Sequence, residues 1–371
     1  MKIKLIALAF LLLFAGPVVA NEVIRVAVIG AKSGSTAIIN STMFRMARIL
    51  VADLNKNGGV IGKKIDLIEL DNRGTPLGSG QAAEIAVKSD VTAVIGAIYS
   101  SNSLAMAPIF QKAGIPMISP SSTATQLTLI GNYIFRVCYT DMFQGEVMAQ
   151  FAREQFGAKK VMVITNTDSR YSIGLAKVFI ENFIKMGGEK IWEEDYLDKI
   201  TNLNQLNKRI IQLNPDLIFL PGHPLISAKI IRNVRRSGNK IVFLGGDGMT
   251  SEMYHYAGKE LDGNYFSNHW HRDDPNRKSR EMIKKFGPAL GVISQASSAL
   301  TYDAIMILVD AITKANSLNR GDIRDALAKT KGFEGATGVI TFDTNGDPRK
   351  QAVIFKLRDR DADYFKTILP K

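Results

Sequence analysis

Short apolar runs alternate with longer amphipathic segments along most of this chain, and this alternation constrains the fold more than any other feature. The first series begins with a predicted strand at 23–30, a helix at 41–57 and a strand at 64–70. A second series begins with a strand at 160–165 and continues to residue 244. Alternation of this kind builds parallel sheets that are covered by helices. The two series therefore predict an α/β protein with two lobes facing each other across a cleft.

Two neighbouring units of the first series end in clusters of hydroxyl residues. One cluster, Tyr99-Ser-Ser-Asn-Ser103, follows the apolar run at 93–98, and the other, Ser119-Pro-Ser-Ser-Thr-Ala-Thr125, follows the run at 115–118. We expect each cluster to open a helix, where free N–H groups and the helix dipole favour an anion. Ser and Thr are also ordinary helix caps, but two successive clusters exceed what capping requires. The sequence therefore predicts a cradle for a carboxylate or a similar small anion.

The N-terminus has the pattern of an export signal. Met1-Lys-Ile-Lys4 is basic, residues 5–15 are uninterruptedly apolar, and Val18-Val-Ala20 is a small-residue cleavage signal. The apolar run is short for a membrane span, and no cysteine at the cleavage site could carry a lipid. We therefore expect a periplasmic, non-lipidated protein whose mature chain begins near Asn21, with an uncleaved anchor as the alternative. We expect no second transmembrane segment.

Composition restricts the partners and the source of stability. Cys138 is the only cysteine, so an internal disulfide is excluded and stability must come from two large cores. The net charge of +12 raises the question of nucleic acid or anionic lipid. The basic residues are scattered, with their densest group at 232–236, and they lack interleaved aromatic residues. We interpret them as a solvated surface and expect no nucleic-acid partner.

Motifs for other chemistries are weak. Gly78-Ser-Gly80 follows Thr75-Pro76 rather than a strand, so it is not interpreted as a dinucleotide fingerprint. His269-Trp-His271 has two imidazoles at strand spacing, but no cysteine and no His-x-x-Glu-type partner lies nearby. A crossing strand with polar residues toward the cleft is the favoured interpretation. Because the sequence shows neither a nucleophile–base pair nor a metal cluster, we expect no enzymatic activity, no cofactor and no metal.

Several motifs, in order over the whole mature chain, carry a family resemblance. They are Ile24-Arg-Val-Ala-Val-Ile-Gly30, Asn55-Lys-Asn-Gly-Gly-Val-Ile-Gly-Lys-Lys64, Ile118-Ser-Pro120, Arg136 with Asp141 and Gln144-Gly145, Leu244-Gly-Gly-Asp-Gly248, Thr301-Tyr-Asp-Ala304, and the segment 333–343. The chain resembles the type I periplasmic solute-binding proteins of ABC importers. The nearest subgroup is the leucine/isoleucine/valine-binding, or hydrophobic amino acid, proteins.

The resemblance implies a fold and a partner. The fold is two Rossmann-like lobes with parallel sheets, joined by three crossings of the chain. The implied division is a signal peptide at 1–20, a first lobe of 21–141 plus 271–345, and a second lobe of 142–270 plus 346–371. The implied protein is a monomer that captures a small ligand, in this subgroup an amino acid, and delivers it to a membrane ABC permease. A sensory ligand-binding subunit for a membrane receptor is the alternative.

The resemblance also implies the roles of individual residues. In amino acid binders of this family the first lobe holds the ligand carboxylate with hydroxyls and backbone N–H groups. The second lobe closes over the ligand with aromatic residues and an acid that pairs with the ammonium. The matching positions in this sequence are Ser100, Ser121, Ser122 and Thr123 in the first lobe, and Tyr171, His223 and Asp247 in the second.

Three positions depart from the branched-chain pattern. Ile39 stands where those binders carry a tryptophan, His223 replaces a pocket tyrosine, and Asp247 is one methylene shorter than their glutamate. These changes alter the walls around the ligand side chain and leave the hydroxyl cluster intact. An amino acid with a different side chain is therefore as consistent with the sequence as leucine. Amides, urea-like compounds and aromatic carboxylates are further alternatives.

Overall fold

The computed structural model describes residues 23–197, 202–291 and 296–370. The expected signal peptide and its cleavage site lie outside the described residues. The strands are β1 (Ile24–Gly30), β2 (Ile65–Asp71), β3 (Ala93–Gly96), β4 (Met117–Ser119), β5 (Ile134–Arg136), β6 (Lys160–Asn166), β7 (Glu189–Tyr196), β8 (Leu217–Phe219), β9 (Val242–Gly245), β10 (Tyr265–Asn268), β11 (Phe333–Gly335), β12 (Gly338–Ile340), β13 (Ala352–Arg358) and β14 (Asp361–Ile368). The α-helices are α1 (Ala37–Lys56), α2 (Pro76–Lys88), α3 (Ser100–Ala113), α4 (Asp141–Phe156), α5 (Arg170–Lys185), α6 (Leu203–Leu213), α7 (Pro224–Arg236), α8 (Tyr254–Ala257), α9 (Arg277–Leu290), α10 (Ala296–Ala315) and α11 (Arg320–Ala328).

Two sheets form the centres of two lobes. The first sheet has the strand order β2-β1-β3-β4-β5, and all of its strands are parallel. The second has the order β14-β13-β10-β9-β8-β6-β7. Its strands from β10 to β7 are parallel, whereas β13 and β14 are antiparallel. The prediction of an α/β protein with two parallel-dominated lobes is confirmed, and the antiparallel edge of the second sheet was not foreseen.

Each sheet is covered by helices on both faces because alternate residues of its strands are apolar on both sides. In β1, Val26 and Val28 pack with α1 and α10, whereas Ala27 and Ile29 pack with α2 and α3. In the second lobe, one face of β6 packs with α4 and α5, and the other with α6 and α7. Strands that are buried on both faces read as continuous apolar runs, which is why the sequence identifies them well.

The chain passes between the two sheets three times, in the segments 137–140, 269–276 and 341–351. Buried polar contacts tie the first and third of these crossings together. The Lys350 ammonium donates to the Val137 carbonyl oxygen over 3.0 Å. The Arg136 Nε lies 2.6 Å from a carboxylate oxygen of Asp347, and the Arg136 side chain is fully buried. The first and third crossings are therefore joined by buried polar contacts.

The second hydroxyl cluster does not open an α-helix, contrary to the prediction. Only the first cluster opens an α-helix: α3 begins at Ser100. Residues after Ser119 form a loop that ends in a short 3₁₀ turn at Thr128–Ile130. The loop is fixed instead by long-range bonds from the buried guanidinium of Arg136, which donates to the Ser122 and Ala124 carbonyl oxygens over 2.8 and 2.9 Å.

Helix α10 bears on the expectation, from the sequence, that there is no second transmembrane segment. Within the described residues it is the one helix long and apolar enough, by length and composition alone, to span a membrane. Of that stretch, 67% is buried inside the structure, where it packs against α1 and the first sheet. A core helix of a water-soluble lobe passes the same test, and the burial of α10 accounts for its composition.

Candidate functional site

A cavity of about 220 Å³ lies in the cleft and is lined by residues of both lobes and of the second crossing. The carboxyl ends of β3 and β4 supply one wall, and those of β8, β9 and β10 supply the other. Ligands of open α/β sheets bind at such ends. Of the residues that the sequence predicted, the cavity brings together Ser100, Ser121, Thr123, Tyr171, His223 and Asp247.

The hydroxyl wall is built on the N-terminus of α3 and the loop after β4. The Ser100 oxygen accepts a hydrogen bond from the Ala124 N–H over 3.2 Å, which joins the two segments. Because that bond occupies a lone pair, the Ser100 hydroxyl proton stays available to donate into the cavity. Ser121 and Thr123 line the cavity beside it. Together they form a set of neutral donors at the positive end of a helix.

Ser122 does not line the cavity, which corrects its predicted role as a ligand contact. Its side chain is fully buried behind the wall. The hydroxyl lies 3.0 Å from the Ala97 carbonyl oxygen and 2.7 Å from the Ser103 hydroxyl. Successive residues of a loop point in different directions, and here Ser122 points inward and ties the loop to the end of β3.

A buried carboxyl group lies behind Thr123. Asp141 is the first residue of α4, and neither of its carboxyl oxygens forms a hydrogen bond of normal geometry within the described residues. Burial, reinforced by the charge of Asp247, raises the pKa of Asp141 well above its usual range. The Thr123 hydroxyl beside it and the Arg136 guanidinium act in the opposite direction. The folded protein therefore favours the protonated, neutral form of this carboxyl group.

Tyr171 and His223 form the aromatic part of the second wall. The Tyr171 hydroxyl oxygen accepts from the Gly248 N–H over 3.0 Å, and burial raises the pKa of Tyr171 well above 10. The phenol therefore keeps its proton as a donor. The two rings stack at 5.5 Å, and the His223 Nε2 lies 3.1 Å from the Ser169 hydroxyl.

The two lobes touch each other at the mouth of the cavity. Tyr99 of the first lobe packs edge-on against His223, with ring centroids 4.5 Å apart. The Arg170 N–H, at the start of α5, donates to the Ser101 hydroxyl oxygen over 3.1 Å. These contacts join the two lobes directly across the cleft.

Asp247 presents a carboxylate to the cavity from the loop after β9. Its side chain is 9% exposed. One oxygen accepts from the Gln144 amide over 3.1 Å, and the other lies 3.1 Å from the Nε2 of His269. Each carboxylate oxygen has a further lone pair, so the group retains capacity for a cationic ligand atom.

The chain also matches a known protein family over most of its length. The model of the periplasmic binding protein family matches residues 23–362. This chain belongs to the periplasmic binding protein family. Its members are solute-binding proteins, and the family confirms the resemblance that the sequence motifs carry.

Several similar proteins are named as binders of branched-chain amino acids. The leucine-specific-binding protein of Salmonella typhimurium is 28% identical over 337 residues, which cover 87% of this chain and 88% of that protein. The structure of the leucine-binding protein LivK from Thermotoga maritima is 32% identical with a TM-score of 0.88, covering 94% of this chain and 99% of that one. The branched-chain amino acid binding protein LivJ from Streptococcus pneumoniae, solved with isoleucine, is 27% identical with a TM-score of 0.88, covering 94% and 100%.

The partner of Asp247 in this periplasmic binding protein, His269, was not identified from the sequence. The doublet His269-Trp-His271 was interpreted as a polar crossing strand, but β10 ends at Asn268, one residue before it. The two imidazoles do not share a face. His269 is buried on the ring of Tyr139, whereas His271 lines the cavity and packs against Tyr364.

The remainder of the cavity lining includes both aliphatic and acidic side chains. Ile39, Ile98 and Ala296 contribute aliphatic surface. The acidic side chains that line the cavity are Asp247, Glu252, Asp273, Asp361 and Asp363, and the lining contains one arginine, Arg272. Arg272 is paired with Asp361 over 2.5 Å. The cavity is therefore an acidic region in a chain whose net charge is +12.

Proposed function

We propose that this protein captures a small amino acid with an apolar side chain between its two lobes. The observation that carries the proposal is the chemistry of the opposite walls. Neutral donors at Ser100, Ser121 and Thr123 line one side of the cavity, and the Asp247 carboxylate lines the other. Hydroxyl donors suit a ligand carboxylate, and a carboxylate suits a ligand ammonium.

The charge of the lining supports a zwitterion over a plain carboxylate. A carboxylate ligand without an amino group would bring a second negative charge close to Asp247, which is 9% exposed and weakly screened. Glu252 adds a further acid to the same lining. An amino acid carries its own compensating ammonium. Amides and aromatic carboxylates use only part of this arrangement, so we expect them to bind more weakly.

The aliphatic part of the lining supports an apolar side chain. Ile39, Ile98 and Ala296 form a surface against which each buried methylene contributes about 0.8 kcal/mol. The leucine- and isoleucine-binding relatives support the same class of ligand. Ile39 and His223 line the cavity at positions that differ from the branched-chain pattern. The experiment must therefore also identify which ligand side chain is preferred.

Binding to both walls links capture to closure. Neither wall alone satisfies both ends of a zwitterion, so the ligand stabilises the closed form in which the two walls are close together. The units that close are proposed to be 21–141 with 271–345 and 142–270 with 346–371. The closed complex is proposed to be a periplasmic monomer, exported with cleavage near Asn21, that serves an ABC permease and catalyses no reaction.

Mass spectrometry and calorimetry test the proposal. The mature protein is purified, denatured and extracted, and any retained small molecule is identified. The refolded protein is then titrated with L-leucine, L-isoleucine, L-valine, leucinamide and 4-methylpentanoate, the deaminated analogue of leucine. We expect an amino acid to be retained and 4-methylpentanoate to bind far more weakly than leucine. Equal affinity for both compounds would contradict the proposal.

A further inference from the structure

The carboxylate that faces the cavity is supported from behind by a buried histidine. His269 is 1% exposed and does not line the cavity, whereas its neighbours Asn268 and Trp270 do. We propose that His269 is a positioning residue for ligand recognition: it orients the Asp247 carboxylate without touching the ligand. This inference rests on the proposed function, because it assigns a support to the acid that would pair with the ligand ammonium.

Two donors fix the orientation of the Asp247 carboxylate. The Nε2 of His269 lies 3.1 Å from one oxygen, and the amide of Gln144 donates to the other over 3.1 Å. A carboxylate held at both oxygens cannot rotate about its terminal bond without losing a bond. Its unused lone pairs then have a constant direction relative to the cavity. Such pre-organisation lowers the cost of binding a cation.

The histidine packs against a buried aromatic ring. Its ring lies 3.8 Å, centroid to centroid, from the ring of Tyr139. The Gln144 amide also contacts the Tyr139 hydroxyl and the Ser267 hydroxyl, each over 3.0 Å. These residues come from α4, from the segment before it and from β10. The support of Asp247 is therefore a connected buried network rather than a single bond.

A neutral imidazole suits this position. Burial lowers the pKa of His269, and the hydrogen bond and charge of Asp247 only partly oppose that effect. Lys350, the other charged group that acts on the ring, lowers the pKa further. The neutral ring donates through Nε2 and leaves the charge of Asp247 uncompensated. A protonated ring would compete with the ligand ammonium for that charge.

Three variants of His269 test the inference. In H269Q the side-chain amide can still donate toward Asp247 and cannot ionise. In H269L the volume is approximately kept and the donor is lost, and in H269N the donor is one methylene too short to reach. We expect H269Q to bind L-leucine with nearly wild-type affinity. We expect H269L and H269N to bind at least about 10-fold more weakly, the factor that corresponds to losing one hydrogen bond to a charged group.

The preference between two ligands separates positioning from a general structural role. Without the donor, the Asp247 carboxylate loses its fixed direction toward the ligand ammonium. H269L and H269N should therefore lose affinity for L-leucine but keep their affinity for 4-methylpentanoate, which has no ammonium. H269Q should keep the wild-type preference. A folded H269L or H269N with the wild-type preference overturns the inference.

The variant D247N, measured in parallel, distinguishes failure of the inference from failure of the proposed function. If D247N reduces the preference for L-leucine over 4-methylpentanoate and H269L does not, His269 has no positioning role and the proposed function survives. If neither variant changes the preference, the assignment of Asp247 to the ammonium is wrong. If H269L and H269N do not fold, the leucine affinity of H269Q decides, because loss of binding in H269Q also overturns the inference.

Discussion

Replacement of Asp247 by asparagine tests the central claim about the ligand. Asn keeps the volume and one oxygen acceptor but removes the negative charge. The fold should tolerate the change because His269 is neutral and its Nδ1 has no hydrogen bond within the described residues. The ring proton can move to Nδ1, so that Nε2 accepts from the new amide. The loss measured in this variant should therefore report on the ligand rather than on the fold.

The size of the effect follows from the burial of the site. Two charges about 4 Å apart attract by about 4 kcal/mol at the effective dielectric constant of a partly buried pair. Truncating one partner of a buried, hydrogen-bonded charge pair costs about 2–5 kcal/mol. Asn recovers about 1 kcal/mol through a neutral hydrogen bond. We therefore expect D247N to weaken leucine binding by about 1–4 kcal/mol, or about 5- to 700-fold.

Calorimetry with two ligands on two proteins is the assay. Leucine should bind D247N much more weakly than wild type, whereas 4-methylpentanoate should bind it equally well or better, because a repulsive charge has been removed. Asp325→Asn, a change at a 54%-exposed side chain on α11, is the matched control and should alter neither affinity. A D247N protein that is less stable but keeps the wild-type ratio of the two affinities would refute the reasoning and reduce Asp247 to a turn residue.

Further predictions concern the cradle and the buried ionisable groups. The double variant Ser100→Ala/Thr123→Ala should weaken leucine binding by about 1.5–3 kcal/mol per lost bond with little change in Tm; Ser122→Ala should instead lower Tm and leave calorimetric affinity nearly unchanged. Asp141→Asn should raise Tm at pH 7. The pKa of Asp141 is raised in the folded protein, so wild-type stability decreases as the pH rises from the unfolded pKa through the folded pKa. The gain in Tm, measured by scanning calorimetry, should vanish near pH 4, and an equal gain at both pH values would contradict this prediction. The lowered pKa of His269 means that the unfolded chain binds a proton below about pH 6.5 that the folded protein does not. Wild-type stability should therefore fall as pH drops below that value, and H269Q should flatten that part of the denaturation profile.

The fold was predictable because its signal is local. A strand such as β1, buried on both faces, is an uninterrupted apolar run in the sequence, and the helices end at glycines or polar caps. The clustering of Ser100, Ser121 and Thr123 was also predictable, because β3 and β4 are adjacent parallel strands whose carboxyl ends meet. Local patterns of this kind need no knowledge of distant contacts.

The loop after β4 was not predictable because its shape depends on a distant contact. Hydroxyl residues after a strand suggested a helix, but the segment continues without the apolar period of a helix. Its carbonyl groups are bound by Arg136, which also contacts Asp347 in the third crossing, more than 200 residues away. Residue types identified the wall, and the long-range bonds determined which of its hydroxyls face the cavity.

The strand order and register of the second sheet contain information about the contact between Asp247 and His269. Strands β9 and β10 are parallel neighbours, with Phe266 opposite Gly245. Asp247 and Asn268 each lie two residues beyond these paired positions, and His269 follows Asn268 directly. The register of the second sheet could therefore have suggested the contact, but that register cannot be derived from local spacing alone.

Both walls of the site are anchored to the crossings, and this has a consequence for how affinity is set. Arg136 links the hydroxyl loop to Asp347 in the third crossing, and His269 at the start of the second crossing holds Asp247. A change in the crossings that shifts the balance between open and closed forms alters the fraction of binding-competent protein. The apparent affinity then changes by the same factor for every ligand. A change at Asp247 alters the ratio of affinities between ligands instead, so the two measurements separate closure from recognition in this cleft.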